Sequence, residues 1–169
     1  MNKQVRDLSL TLLFGILAAV LLNKFVFFQS WIPSESMYPT LKVGDTVFIG
    51  RVYNPENLKT GDIVVFKPKS SKDKLIKRLI GKPGDIVVLH EGKVSVNGRY
   101  LKEEYVENNM EDFSQVYVVP DDCYFFLGDN RINSKDSRYW ENPFIEKECI
   151  LGKAYFKYTS LTDITYLYK

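Results

Sequence analysis

The stretch Trp31-Ile-Pro-Ser-Glu-Ser-Met-Tyr-Pro-Thr-Leu41 sets two serines, Ser34 and Ser36, just beyond a long apolar run. A serine hydroxyl becomes a useful nucleophile only when a neighbouring group removes its proton, so the chemistry depends on which base the chain can supply. The single histidine, His90, stands in His-Glu-Gly-Lys at a strand end before a hairpin and reads as a turn or surface residue. That disfavours a Ser-His-Asp arrangement. Lysine is the other candidate. At its ordinary pKa of about 10.4, a lysine is neutral in only about one molecule in 2,500 at pH 7, so a lysine base needs surroundings that penalise its charge.

Lys74-Leu-Ile-Lys-Arg-Leu-Ile80 offers such surroundings. Read as a strand, it puts Lys77 on a face with Leu75 and Leu79, and Arg78 on the other with Ile76 and Ile80. Both faces are apolar, so periodicity does not choose between Lys77 and Arg78. Chemistry favours Lys77, because arginine does not deprotonate in proteins.

These residues must be positioned by something, and the first element is the apolar run. Leu8 to Leu22 carries no charge, and Phe25-Val-Phe-Phe28 continues it past Asn23 and Lys24. The total of about 21 residues matches the roughly 20 that a spanning helix needs. The competing reading is a cleaved signal segment, but such segments have shorter apolar cores ending at a small-x-small site, and no Ala-x-Ala follows Leu22. The expected organisation is a short cytoplasmic terminus at 1–6, a transmembrane anchor at 7–28 and an extracytoplasmic domain at 29–169. Lys3 and Arg6 favour a cytoplasmic amino terminus, and Lys24 can snorkel to the far interface. Ser36 then lies within roughly 29 Å of the anchor's end.

A domain of this length can bury a core of its own. With 23 basic and 21 acidic residues intermixed, the net charge of +2 argues against a nucleic-acid partner. Cys123 and Cys149 with one histidine argue against zinc ligation; a disulfide and two free thiols both fit the sequence. Short β signals recur: Thr46–Ile49, Ile63–Phe66, Ile86–Leu89, Val116–Val119, Tyr124–Leu127 and Lys153–Tyr158. Asn97-Gly98 between alternating residues marks a hairpin. Residues 67–74 and 103–115 read as loops, and no amphipathic helix is convincing. The prediction is a mainly β, partly closed antiparallel domain behind one helix.

Four blocks then stand in order: Pro33–Leu41, Gly61-Asp-Ile-Val64, Lys77-Arg-Leu-Ile-Gly-Lys-Pro-Gly-Asp85, and Gly128-Asp-Asn-Arg-Ile-Asn-Ser-Lys-Asp-Ser-Arg-Tyr-Trp140. With the anchor before them and Ile150-Leu-Gly-Lys-Ala154 after them, they closely resemble the bacterial type I signal peptidases. The chain departs from the usual pattern at Glu35 and Glu141, where glycine is common.

The resemblance implies a membrane-bound serine endopeptidase with Ser36 as nucleophile and Lys77 as general base. It implies an oxyanion hole from the Ser34 hydroxyl and the Ser36 N–H, and Ser134 as the hydroxyl that orients the lysine. Asp129, Asp136 and Arg138 are expected to buttress the site. Ile32, Pro33, Met37 and Ile76 are the expected contacts for small substrate side chains, with the substrate extended beside Trp31–Ser34 and Lys74–Lys77. The implied partners are secretory preproteins and membrane lipid, with no cofactor, no metal and no obligate protein partner. Two other readings compete. A silent, peptidase-like assembly module is opposed by the presence of both Ser36 and Lys77. A soluble Ser-Lys self-cleaving protein is opposed by the anchor.

Overall fold

The computed structural model describes residues 3–107, 113–160 and 163–168. Helix α1, Lys3–Phe25, has no buried residue and is long and apolar enough to cross a membrane. At 1.5 Å per residue its 23 residues span about 34 Å.

Among the described residues twelve strands follow: β1 Phe27–Trp31, β2 Thr46–Arg51, β3 Ile63–Phe66, β4 Leu75–Gly81, β5 Ile86–His90, β6 Lys93–Val96, β7 Arg99–Tyr100, β8 Gln115–Val118, β9 Cys123–Leu127, β10 Phe144–Glu146, β11 Ile150–Ser160 and β12 Asp163–Tyr166. They form an eight-stranded sheet in the order β1-β2-β11-β3-β4-β9-β10, with β12 on β11, and a four-stranded sheet β7-β6-β5-β8. All pairings are antiparallel. The mainly β architecture agrees with the sequence reading, including the Asn97-Gly98 hairpin between β6 and β7.

The sequence reading carries the apolar anchor to residue 28, and the structure differs in where the helix ends. The helix stops at Phe25, while Phe27 and Phe28 enter β1. Phe28 is buried with Ile32 and Met37, and Phe27 packs on Phe48, which stacks on Phe156. Pairing with β2 and these ring contacts outweigh continuation of the helix. At its other end the helix begins at Lys3, taking in residues assigned to a short terminal segment.

Side chains alternate between faces along β4 and β9. Ile80, Phe125 and Leu127 pack with Val87, Leu89 and Tyr117 between the two sheets, while Leu79, Tyr124 and Phe126 pack on the opposite side with Phe66. The sheets approach so closely at Gly81 that a Cβ there would lie 2.6 Å from the Val87 side chain.

A feature the sequence reading overlooked sets the strand entrances. Lys42-Val-Gly-Asp45, Lys59-Thr-Gly-Asp62 and Lys82-Pro-Gly-Asp85 each form the same turn, just before β2, β3 and β5. In each, the aspartate N–H donates to the lysine carbonyl at 3.0 Å. The aspartate carboxylate accepts the lysine backbone N–H at 2.9, 2.9 and 2.8 Å. The third position needs positive φ (93°, 95° and 82°), which glycine adopts without steric cost. Lys157 and Lys153 of β11 pair with Asp45 and Asp62, tying two of these turns to the longest strand.

Candidate active site

The loop after β1 is fastened from beneath. Ile32, Met37 and Leu41 are fully buried in one cluster, and Tyr38 N–H and Leu41 N–H donate to the Glu35 and Met37 carbonyls at 2.9 and 2.8 Å. This turn presents Ser36, 9% exposed, toward β4. Lys77 lies opposite Val64 of β3. On its other side, β9 pairs with β4 only from Arg78 onward, where it ends at Leu127. Lys77 therefore stands where a strand partner stops and the chain turns away at Gly128.

Lys77 is 4% exposed, and its ammonium donates a hydrogen bond to Ser36 Oγ. Ser34 Oγ lies 3.4 Å from Ser36 Oγ. Burial pushes the Lys77 pKa down to about 8, against the opposing pull of Asp136 and Asp129 and with a smaller lowering by Arg138. Desolvation wins because both carboxylates are already engaged. Asp129 accepts Arg78 Nε and Nη2 at 2.8 and 2.6 Å and Thr40 Oγ1 at 2.5 Å. Asp136 accepts Arg138 Nε and Nη2, each at 2.8 Å, and the Gly128 N–H at 2.9 Å. With a pKa near 8, about one Lys77 in ten is neutral at pH 7, roughly two hundred times the unperturbed fraction.

The 128–140 segment is pinned to the serine loop. Asn130 N–H donates to the Ser36 carbonyl at 3.2 Å, and Asn130 Nδ2 to the Glu35 carbonyl at 3.3 Å. Asn133 Nδ2 reaches the Glu35 carboxylate at 3.2 Å, so this departure from the usual glycine adds a bond between the loops. A side chain at Gly128 would collide with the Ser36 carbonyl and with Ser134. Ser134 thus adjoins the pair, but its buried Oγ makes no hydrogen bond, so the expected contact with the lysine is not formed here. Of the expected substrate contacts, Ile32 and Met37 are core residues flooring the site. Ile76 is half-buried against that cluster, and Pro33 is exposed. His90 is exposed on the other sheet and bonded to Ser114 at 2.7 Å. Cys123 and Cys149 are free thiols.

A family model described as "Signal peptidase, peptidase S26" matches residues 5–159. The chain belongs to that family. It is 39% identical over 159 residues to the probable signal peptidase I-2 of Synechocystis sp. (strain ATCC 27184 / PCC 6803 / Kazusa), covering 90% of this chain and 72% of the relative. It is 36% identical over 161 residues to signal peptidase I T of Bacillus subtilis (strain 168), covering 89% and 83%. Among solved structures, a signal peptidase I from Enterococcus faecalis V583 superposes with a TM-score of 0.51 at 30% identity, over 57% of this chain and 96% of that one.

This family member also carries site residues that sequence reasoning passed over. Arg78, set aside as a base, is the cation that fills Asp129. The Tyr105 ring stacks on its guanidinium at 3.7 Å, and Tyr105 Oη donates to Glu103 at 2.9 Å. Arg131 binds the same Glu103 at 2.5 Å and donates from Nε to the Gly128 carbonyl at 3.0 Å. Glu103 and Tyr105 come from a polar loop whose composition carries no sign of burial. The lysine-arginine pair on an apolar strand was the available signal for Arg78.

Proposed function

We propose that this protein is a membrane-bound serine endopeptidase that removes amino-terminal signal peptides from secretory preproteins at small-x-small sites. The observation that carries the reading is the buried Lys77 amine on the Ser36 hydroxyl, with the neighbouring carboxylates already committed to arginines.

Neutral Lys77 takes the Ser36 Oγ proton as Oγ bonds to the scissile carbonyl carbon. The resulting oxyanion is received by the Ser34 hydroxyl and the Ser36 N–H. The C–N bond then breaks, with Lys77 returning the proton to the leaving amine of the mature protein. Water, deprotonated by Lys77, cleaves the ester and releases the signal peptide. Ser134 orients the amine by a rotation of its unpartnered hydroxyl. Asp129, Asp136 and Arg138 hold the loop that carries it.

The substrate lies extended along Leu75–Lys77, whose edge toward β9 has no strand partner among the described residues, with Pro33 and Ile76 beside its small side chains. Helix α1 is a single membrane anchor with the amino terminus in the cytoplasm, and the β domain is extracytoplasmic in contact with lipid.

The test is incubation of a preprotein bearing an Ala-x-Ala site with wild type and Ser36→Ala in liposomes, reading product masses. Cleavage at that bond by wild type alone supports the proposal. Equal cleavage by both would overturn Ser36 as nucleophile, and none by either folded protein would favour the silent assembly module.

A further inference from the structure

Cations gather where α1 joins the β domain. Lys24 lies in the last turn of the helix, Arg51 ends β2 and Lys74 immediately precedes β4. The Arg51 guanidinium and the Lys74 ammonium flank the Phe28 ring, 4.9 and 5.1 Å from its centroid, three residues past the end of α1. The joint is strapped. Arg51 N–H donates to the Val26 carbonyl at 2.8 Å, Arg51 Nη2 to Asn23 at 3.4 Å, and Tyr53 Oη to Phe25 at 2.5 Å. These bonds fix the height of Arg51 relative to the helix.

Strand register brings more charge to the same edge. Gly152 pairs with both Arg51 and Val65, so β3 ends at Phe66 close to the level of Arg51. The 67–74 connection hangs from that rim and carries Lys67, Lys69, Lys72 and Lys74 against a single acid, Asp73. Lys69 is paired with Glu146. Glu148 shares the rim, because Lys67 N–H donates to the carbonyl of adjacent Cys149 at 2.9 Å. Lys67, Lys72 and Lys74 are exposed. With Lys24 and Arg51, they make no ion pair to a carboxylate among the described residues.

We propose that this collar, Lys24, Arg51, Lys67, Lys72 and Lys74, binds the phosphate headgroups of anionic phospholipid and seats Ser36 and Lys77 at a fixed depth beside the bilayer. The proposal rests on α1 being a membrane span. That span selects lipid over other polyanions, because its end delivers the collar to the headgroup layer and a bilayer's surface potential falls off within about 10 Å. A basic residue held in that layer is attracted about fivefold for each charge.

The full chain is reconstituted in vesicles of phosphatidylcholine alone or with phosphatidylglycerol, and acetylation of each lysine is followed by mass spectrometry. The expected result is that Lys72 and Lys74 react about fivefold more slowly with phosphatidylglycerol present, that high salt relieves the protection, and that Lys93 on the four-stranded sheet is unaffected. Equal rates in both vesicles would overturn the proposal. In a second arm, Lys67→Gln/Lys72→Gln should lose most of the response of vesicle-embedded preprotein cleavage to phosphatidylglycerol while matching wild type on a soluble peptide. Retention of the response would overturn it as well. Labelling needs no catalysis, so the acetylation result stands apart from the peptidase reading. A full chain that fails to float with vesicles would instead defeat the membrane span on which the collar depends.

Discussion

Lys77 and Arg78 are consecutive residues of β4, 4% and 6% exposed, and the two regions they enter treat a buried cation in opposite ways. Around Arg78 every requirement of the charge is met: a bidentate carboxylate from Asp129, the Gly61 carbonyl at 2.7 Å and the Tyr105 ring. Around Lys77 the only hydrogen-bond acceptor described is a serine hydroxyl, and Asp129 and Asp136 are occupied elsewhere. Pairing holds the loop together in one place. Its denial, one residue away, leaves an amine that gives up its proton near neutral pH.

The sharpest way to break that comparison is to remove each partner in turn. Lys77→Met should lower kcat/KM by about a hundred- to ten-thousandfold, the usual worth of a general base. It should also stabilise the fold at neutral pH by about 3 kcal/mol, the equivalent of the gap between the ordinary lysine value and about 8. Below pH 8 both folded and unfolded chains hold the proton and the folded state bears the full cost of burying the charge. Between pH 8 and about 10.5 the unfolded chain binds more protons, so wild-type stability rises with pH and the advantage of Lys77→Met shrinks. Denaturant midpoints at pH 7 and pH 10 measure this. A variant less stable than wild type at pH 7 would contradict the account.

Asp129→Ala should act the other way, destabilising by about 3 to 5 kcal/mol because Arg78 is left buried without its carboxylate. A thermal melt should fall by roughly 10 °C. A shift of only a degree or two would show that the pair is dispensable. Ser34→Ala sharpens the comparison from the neutral side. With no charge to strand, it should leave the melt unchanged while kcat falls about a hundred- to a thousandfold through loss of one oxyanion donor.

Much of this was legible in the residues. The strands could be read because short β-branched and aromatic runs sit between turn residues, and Lys77 stood out as a candidate because, of the two cations on one apolar strand, only a lysine can give up its proton. The end of the helix was not legible. Phe25–Phe28 is as fit for lipid as for a sheet, and pairing with β2 together with contacts to Phe48, Ile32 and Met37 decides the matter. Strands β10 and β12 lack enough apolar alternation to announce themselves, and pairing with β9 and β11 makes them. Glu103 and Tyr105 look like solvated loop residues until Arg131 and Arg78 arrive from other segments. Ser134 lies beside Gly128 and the Ser36 carbonyl without the expected bond, because spacing along the chain carries no information on which partner a hydroxyl meets.

The most direct test of the withheld charge is the pH dependence of kcat/KM for wild type on a soluble signal-peptide substrate. The account predicts a rise of about tenfold per pH unit through neutrality, bending to a plateau near pH 8 as Lys77 becomes neutral. A profile flat across that range, or bending near the ordinary lysine value, would contradict it.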